Sequence, residues 1–361
     1  MFKSRTVFVV AAGASADLDL PIGETLKTQI SGVLAVEPQY LPGFKDDAIR
    51  FAVSNFAQQH RMAQGVDYVQ MMRSAAFNVA MNMPLAPSID TFLDANQADQ
   101  LVPLMGKLAI ARCILNAERK SFLYSEQNGF FVLPVKNENF IKAWHIKLWH
   151  ELVSGITVET VDSIFDNVAF VVFNYDRCLE HFFYIALQSY FRIRPEHAAR
   201  LVDEARIIHA YGVVGRLPWQ EGSDVKVKFG ETEPNELLGI ALGISTFTES
   251  AREGTTSAIK EMLSQAETLV LLGFGFLEQN MDLMSVQTNI SRVFMTALEM
   301  SNTDMSAATE KVGKMIGRTP DRSHREDIEE GSFQPYLVDA KCPGLWSAHR
   351  LRLPDVAPRT R

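Results

Sequence analysis

Short runs of consecutive apolar residues, each followed by small or polar residues, recur along this chain. Five of them predict buried β-strands, namely Thr6–Val10, Val168–Phe173, Arg206–Ile208, Thr268–Leu272 and Ser291–Thr296. Helical periodicity or a loop follows each run within a few residues. Short apolar strands that alternate with helices are typical of a parallel sheet covered on both faces. We therefore expect an α/β, Rossmann-like fold with a parallel sheet and helices on both of its faces.

The stretch between the first two predicted strands has apolar residues at helical spacing instead. The helices predicted there are Asp46–Met62, Tyr68–Met81, Asp99–Tyr124 and Phe140–Gly155. The expected organisation is a sheet domain in residues 1–40 and 160–300, a helical insertion in 41–159 and a C-terminal extension in 301–361. The sequence turns polar from about residue 318, so we expect the extension to end in a frayed tail at Leu351–Arg361.

The N-terminus allows two interpretations. Lys3 and Arg5 precede an apolar run and then small residues, which is the order found in a short secretory signal. The alternative is a buried first strand, and we prefer it because later segments repeat the same strand-then-loop pattern. No apolar run has the length of a bilayer span, and three scattered cysteines fit a reducing compartment. We expect a cytoplasmic protein with no membrane association.

Composition limits the class of partner. The 361 residues are 47% hydrophobic, which suits a globular core, and the length suggests one large domain with an insertion, or two domains. The formal net charge is −8. An acidic balance argues against a general nucleic-acid-binding surface, which would be basic. We therefore expect no direct binding to nucleic acid.

Four loops at the ends of predicted strands carry the candidate chemistry. They are Ala11–Ser15, Asn174–Asp176, His209–Gly212 and Gly273–Phe276. Because ligands bind at the carboxyl ends of parallel strands, these loops are expected to converge on one crevice. Small residues in the first loop would let the backbone approach a pyrophosphate. Each loop also has a purely structural explanation, such as helix capping by Asn174 and Asp176.

The order of these motifs resembles the sirtuin superfamily. The small-residue loop is followed by Leu20–Gly23, then by Asn-x-Asp, His-x-x-Gly and Gly-Phe-Gly-Phe. The pattern is most similar to bacterial sirtuin-like NAD hydrolases of anti-phage defence, and Ser88–Leu93 also resembles a segment of that group. The resemblance covers about residues 5–40 and 165–300, and the last 60 residues or so carry no recognised match.

The resemblance implies roles for individual residues. Those that would line the diphosphate and adenosine ribose of NAD are Ala12, Gly13, Ala14, Ser15, Gly273 and Gly275. Asn174 would hold the reacting ribose or the attacking water. Asp176 would face the nicotinamide amide, and His209 would be the base. NAD is thus expected as a substrate.

The sequence departs from the sirtuin pattern in three ways. Ala11 stands where the family loop usually begins with Gly, and a positive φ there would cost roughly 1 kcal/mol or more. The deacetylase stretch Gly-Ile-Pro-x-Phe-Arg is missing, with Leu20–Gly23 near its place. Paired C-x-x-C zinc ligands are absent, because the cysteines are Cys113, Cys178 and Cys342. We expect water as the acceptor, and no metal.

The leading expectation is therefore an NAD hydrolase that releases nicotinamide and ADP-ribose. Nicotinamide leaves NAD as a neutral molecule, so the reaction needs no general acid of the glycosidase type. A non-catalytic module that senses NAD or ADP-ribose and an ADP-ribosyl transferase remain alternatives. A dehydrogenase is disfavoured by the glycine spacing. By resemblance we expect a gated homo-oligomer active in anti-phage defence, with a partner protein such as an ATPase as an open alternative.

Overall fold

A seven-stranded parallel sheet forms the centre of the molecule. The computed structural model describes residues 2–36, 43–60, 67–222, 225–252, 254–321, 323 and 329–354. The strands are β1 (Thr6–Val10), β2 (Glu126–Gln127), β3 (Phe130–Phe131), β4 (Val168–Val172), β5 (Ile207–His209), β6 (Thr268–Leu272), β7 (Arg292–Thr296), β8 (Thr319–Pro320) and β9 (Ser332–Val338). The central sheet has the order β5-β4-β1-β6-β7-β9-β8, and β2 pairs with β3 in a separate hairpin.

Helices cover this sheet. The α-helices of the described residues are α1 (Ala12–Ser15), α2 (Gly23–Val33), α3 (Asp47–Gln59), α4 (Tyr68–Asn82), α5 (Ile89–Ala95), α6 (Leu101–Lys120), α7 (Glu138–Lys142), α8 (Trp144–Leu152), α9 (Cys178–Phe191), α10 (Pro195–Glu204), α11 (Leu237–Leu242), α12 (Phe247–Arg252), α13 (Thr255–Ser264), α14 (Glu278–Met284), α15 (Asn302–Ile316) and α16 (Cys342–His349). Within the described residues, no helix combines the length and hydropathy needed to cross a bilayer.

Alternation along the strands shows that both faces of the sheet are buried. All five residues of β1 are buried, with Val7 and Val9 in one hydrophobic core and Phe8 and Val10 in a second. Successive side chains of a strand point to opposite faces, so a strand whose residues are all buried must be covered on both. The predicted α/β, Rossmann-like class is confirmed.

The helical insertion contributes to both cores. Helices α3 to α6 pack on the same face as Val7 and Val9. Phe140 of α7 and Trp144 of α8 pack on the opposite face, with Phe8 and Val10. The helix predicted at Phe140–Gly155 is divided because Ala143 has extended backbone angles, φ −60° and ψ 151°. The insertion therefore wraps the sheet.

The strand order locates a ligand site. From β1 the sheet runs through β4 to β5 on one side and through β6, β7 and β9 on the other. This is the doubly wound order, in which the topological switch point lies beside the first strand. The residue after β1 is still hydrogen-bonded to β6, since the N–H of Ala11 donates to the oxygen of Leu272 at 3.0 Å. A crevice opens past that bond, at the carboxyl ends of β1 and β6.

The C-terminal extension differs from its prediction. Strands β8 and β9 and helix α16 lie in the polar part of this extension, for which the sequence predicted no strand or helix before the frayed tail. Pro335 lies within β9, and proline usually argues against an interior strand. It is tolerated because Gln334 donates its N–H to the oxygen of Ser291, just before β7. Position 335 therefore faces the other side, where β8 pairs only with Ser332 and Phe333. Of the predicted tail, residues 355–361 lie outside the described residues.

Candidate functional site

A cavity of about 310 Å³ lies at the carboxyl ends of β1, β4 and β6. The strand-end residues that line it include Ala11, Ala12, Ser15, Asn174, Tyr175, Asp176, Tyr211, Gly273 and Gly275. The insertion supplies another wall, formed by Pro87, Ser88, Ile89, Asp90 and Ile114. The volume of this cavity is at the small end of the range of ligand sites, roughly 300–1,000 Å³. Three of the four predicted loops, and Tyr211 of the remaining one, therefore converge here.

A wider groove of about 950 Å³ runs beside this cavity and meets it at Leu20 and Pro21. Its charged walls include Lys45, Arg112 and Lys120. Among the described residues that form it, none belongs to the predicted catalytic or NAD-binding set. The smaller cavity is therefore the candidate site, because the chemistry-bearing side chains lie there.

Two glycines, Gly13 and Gly273, bring the loops after β1 and β6 into close contact beside the cavity. The N–H of Gly13 donates to the oxygen of Gly273 at 3.2 Å. A Cβ on Gly273 would lie 2.2 Å from the nitrogen of Ala14, and Gly273 has a φ of +59°. Only glycine meets both conditions. Ala11, in contrast, has an extended φ of −126°, so alanine in place of the family's glycine carries no strain.

The predicted diphosphate residues are divided by the structure. Ala12, Ser15 and the two glycines Gly273 and Gly275 line the cavity. Gly13 and Ala14 do not line it: Gly13 packs against Gly273, and Ala14 is fully buried, with its oxygen accepting a bond from Trp144. These two residues support the loop, and only the other four could contact a ligand directly.

A hydrogen-bonded chain joins the first two predicted loops. Asn174 donates from Nδ2 to the hydroxyl of Ser15 at 2.6 Å, and Ser15 donates to Oδ2 of Asp176 at 2.8 Å. The backbone N–H of Cys178 donates to the other oxygen, Oδ1. Burial raises the pKa of Asp176, although these hydrogen bonds oppose the shift. Among the described residues no hydrogen bond engages Oδ1 of Asn174, which leaves it free for a ligand.

A buried ion pair holds this loop in place. Arg177, next to Asp176, donates from Nε to Glu118 of α6 at 3.1 Å, and both side chains are almost fully buried. Glu118 also accepts from the backbone N–H of Arg177 and from that of Gly230. A buried carboxylate with several donors remains compensated. Helix α6 of the insertion thus holds the loop Asn174–Asp176 in place through Arg177.

The structure does not bring His209 into the cavity. Its Nδ1 lies 2.9 Å from the backbone oxygen of Asn174, and its Nε2 lies 2.7 Å from Oε1 of Glu180 on α9. A carbonyl oxygen accepts only, so Nδ1 carries a proton, and a second proton lies between Nε2 and the carboxyl group of Glu180. Burial opposes a charge on the ring, but the Glu180 carboxylate outweighs it and raises the pKa of His209. The ring is held by these two partners outside the cavity, and its predicted role as base stays a prediction from the resemblance.

Tyr211 stands in the cavity where the imidazole was expected. It is buried, and its hydroxyl donates to Oδ1 of Asn280 at 2.5 Å. Burial raises the pKa of Tyr211 far above its usual value, so the phenol stays neutral. The His-x-x-Gly pattern drew attention to His209, and nothing in the spacing indicated that the tyrosine two residues later would face the ligand.

Asp90 is a further cavity residue to which the sequence assigned no role. Tyr175, between Asn174 and Asp176, donates its hydroxyl to Oδ1 of Asp90 at 2.6 Å. Burial is the main reason that the pKa of Asp90 is raised to about 6. The available signal was the Ser88–Leu93 segment, which resembled the bacterial group without implying a function for its aspartate.

Neither metal-ligand clusters among the described residues nor the sequence comparisons assign a function to the cavity. The described residues contain no cluster of three or more His, Cys, Asp and Glu side chains that could hold a metal. The three cysteines are buried and free. No protein-family model matches the chain, and no curated protein matches it. The resemblance to sirtuins therefore stays an expectation from the sequence motifs.

Proposed function

We propose that the chain binds NAD in this cavity and hydrolyses the bond between nicotinamide and ribose, as a sirtuin-like NAD hydrolase. The observation that carries the proposal is the Asn174–Ser15–Asp176 hydrogen-bonded chain, which lies at the switch point of a doubly wound sheet. Ligands bind such sheets at this point. The small residues Ala12 and Gly273 at the same point suit close approach of a diphosphate to the backbone.

The side chains of the cavity match the chemical needs of this cleavage. Positive charge develops on the ribose as neutral nicotinamide departs. The carboxyl groups of Asp90, Asp176 and Glu24 line the cavity, and an ionised carboxylate would stabilise that charge in a site partly shielded from water. Oδ1 of Asn174 can accept a hydrogen bond from a ribose hydroxyl or from the attacking water. No acid is required for the leaving group.

The cavity also suits a resting state that is closed by the insertion. Thr91 donates to Gln279 of α14 at 3.1 Å, and Tyr175 donates to Asp90, so α5 is bonded both to α14 and to the loop after β4. A cavity at the small end of the usual range would have to widen for a whole dinucleotide. An unregulated NAD hydrolase would deplete its host, so we propose that a ligand or partner shifts the protein to an open state.

The proposed setting is bacterial anti-phage defence in the cytoplasm. It follows from the resemblance alone, as do a homo-oligomeric state and a partner such as an ATPase. Exposed apolar side chains on α4, including Phe77 and Met81, offer a surface for such assembly.

The position of His209 favours a second candidate function, sensing of NAD or ADP-ribose without turnover. Its ring is hydrogen-bonded to Asn174 and Glu180 outside the cavity, so the imidazole of His209 is not available there as a base. The two functions are separated by incubating the purified protein with NAD and resolving the products. Free nicotinamide and ADP-ribose support the hydrolase, bound but intact NAD supports the sensor, and ADP-ribose attached to protein indicates a transferase.

A further inference from the structure

Asp90 is held over the cavity by the insertion, opposite the loop that carries Asn174. It occupies the first turn of α5, and its Oδ1 accepts the Tyr175 hydroxyl at 2.6 Å. Tyr175 is buried and adjoins both Asn174 and Asp176 in sequence. The carboxylate is therefore fixed relative to the proposed reaction centre although it is 85 residues away from Tyr175 in the chain.

A structural role does not account for this placement. Ser88 already caps α5, since its hydroxyl accepts from the backbone N–H of Thr91 at 3.0 Å. Among the described residues, no lysine or arginine forms an ion pair with Asp90. Lys27, the lysine that lines the same cavity, pairs with Glu24. A partly buried carboxylate with no cation beside it lowers stability, and such groups occur at functional sites.

The other polar groups of the cavity are less suited to accept a proton. Tyr175 and Tyr211 have pKa values raised by burial and stay neutral. Both oxygens of Asp176 already accept hydrogen bonds, from Ser15 and Cys178. Asp90, in contrast, accepts a side-chain hydrogen bond only at Oδ1 among the described residues, and a backbone N–H bond also lowers its pKa slightly.

We propose that Asp90 is a catalytic carboxylate of this cavity, which faces the cationic ribosyl centre and accepts the proton of the attacking water. The inference rests on the proposed NAD hydrolase. The bond from the ribose carbon to nicotinamide breaks, and its electron pair stays on the nicotinamide nitrogen. A water oxygen forms the new bond to that carbon, and its proton passes to Oδ2 of Asp90 and then to solvent. No oxidant or reductant takes part.

Burial contributes most to the raised pKa of Asp90, and the neighbouring groups contribute less. The titratable groups that face it or share its cavity are Asp94, Tyr175, Tyr211, Asp176, Glu24 and Lys27. With a pKa of about 6, the carboxylate is ionised at pH 7 and above. Turnover by the wild type should accordingly rise with pH and level off above about pH 7.

The test compares Asp90→Asn with Asp94→Asn, a neighbouring carboxylate that is bound instead by Gln97. NAD turnover is measured from pH 5 to pH 9 in the activated protein, with ADP-ribose binding and thermal unfolding as checks on site and fold. Asp90→Asn should lose on the order of 100-fold in rate together with the low-pH limb. It should keep wild-type affinity for ADP-ribose. Asp94→Asn should stay within a few-fold of the wild type.

The outcomes separate the two proposals. An Asp90→Asn variant with near wild-type turnover and an unchanged pH profile overturns the role of Asp90 and leaves the NAD hydrolase standing. Loss of ADP-ribose binding together with a lowered unfolding temperature in Asp90→Asn shows a structural role and overturns the catalytic one. A wild-type protein that cleaves no NAD under any activating condition overturns the proposed function, and the inference with it.

Discussion

The backbones of Gly13 and Gly273 are in contact at the carboxyl ends of β1 and β6. The N–H of Gly13 donates to the oxygen of Gly273, and a Cβ on Gly13 would lie 2.7 Å from the Cα of Gly273. The contact joins the loops after β1 and β6, the two strands that flank the topological switch point. The shape of the proposed diphosphate site therefore depends on two residues of which only Gly273 lines the cavity.

Gly273→Ala should destabilise the protein and remove NAD binding. The added methyl group would overlap the backbone at Gly13 and Ala14, and a non-glycine residue is strained at this positive φ. We expect a loss on the order of 2 kcal/mol or more in the free energy of unfolding, measured by denaturant titration.

Gly275→Ala is the matched control. Gly275 lines the same cavity, but a Cβ there would meet no atom within 4 Å. Its free energy of unfolding should stay within about 0.5 kcal/mol of the wild type. Equal losses in the two variants would show that the backbone contact does not determine the stability of this loop.

Asn174→Ala should lower NAD turnover on the order of 100-fold, because the amide that holds the ribose or the water is lost. Ser15→Ala should also lower turnover, by a smaller factor, because Asn174 and Asp176 both bond to the Ser15 hydroxyl. Steady-state rates of nicotinamide release measure both effects. His150→Ala serves as the control, since this exposed histidine lies on α8. Full activity in Asn174→Ala would refute the site assignment.

Glu180→Gln should weaken the fold in a pH-dependent way. The pKa of His209 is raised in the folded protein, so the stabilisation from its charged form is fully present below the unfolded pKa, about 6.5. It is lost as pH rises through the folded value. The difference in unfolding free energy between wild type and variant should be about 2 kcal/mol at pH 6 and shrink by pH 9.

Asp162→Asn provides the comparison for that series. Asp162 accepts from His197 in an exposed pair, with 63% of its side chain accessible, and such pairs contribute little. Its unfolding free energy should match the wild type across the pH range. A Glu180→Gln variant with the same flat response would argue against a buried imidazolium at His209.

The sequence was informative where a feature depends on neighbouring residues. Runs such as Thr6–Val10 and Thr268–Leu272 indicated buried strands because they are apolar after the first residue, and a parallel sheet brings their ends together. The C-terminal strands were missed because Pro335 and the polar residues around it conceal β9, whose tolerance of proline depends on the short reach of β8.

The details of the cavity depended on contacts that sequence spacing does not reveal. The chain turns after β5, where Gly212 donates to the oxygen of His209, and this turn places Tyr211 in the cavity instead of the histidine. Glu180 approaches His209 from a helix 29 residues earlier. Asp90 reaches the site only through the packing of the insertion against Tyr175. Pairings of this kind are set by tertiary structure.

Hydrolysis of NAD with water as the acceptor is measured most directly by following NAD and its products in water enriched in oxygen-18. The activated wild-type protein should release nicotinamide and ADP-ribose in equal amounts, with one heavy oxygen on the ribose carbon of ADP-ribose. Asn174→Ala should do so on the order of 100-fold more slowly. Intact NAD under every activating condition, or ADP-ribose recovered only on protein, would contradict the account of this cavity as the site of an NAD hydrolase.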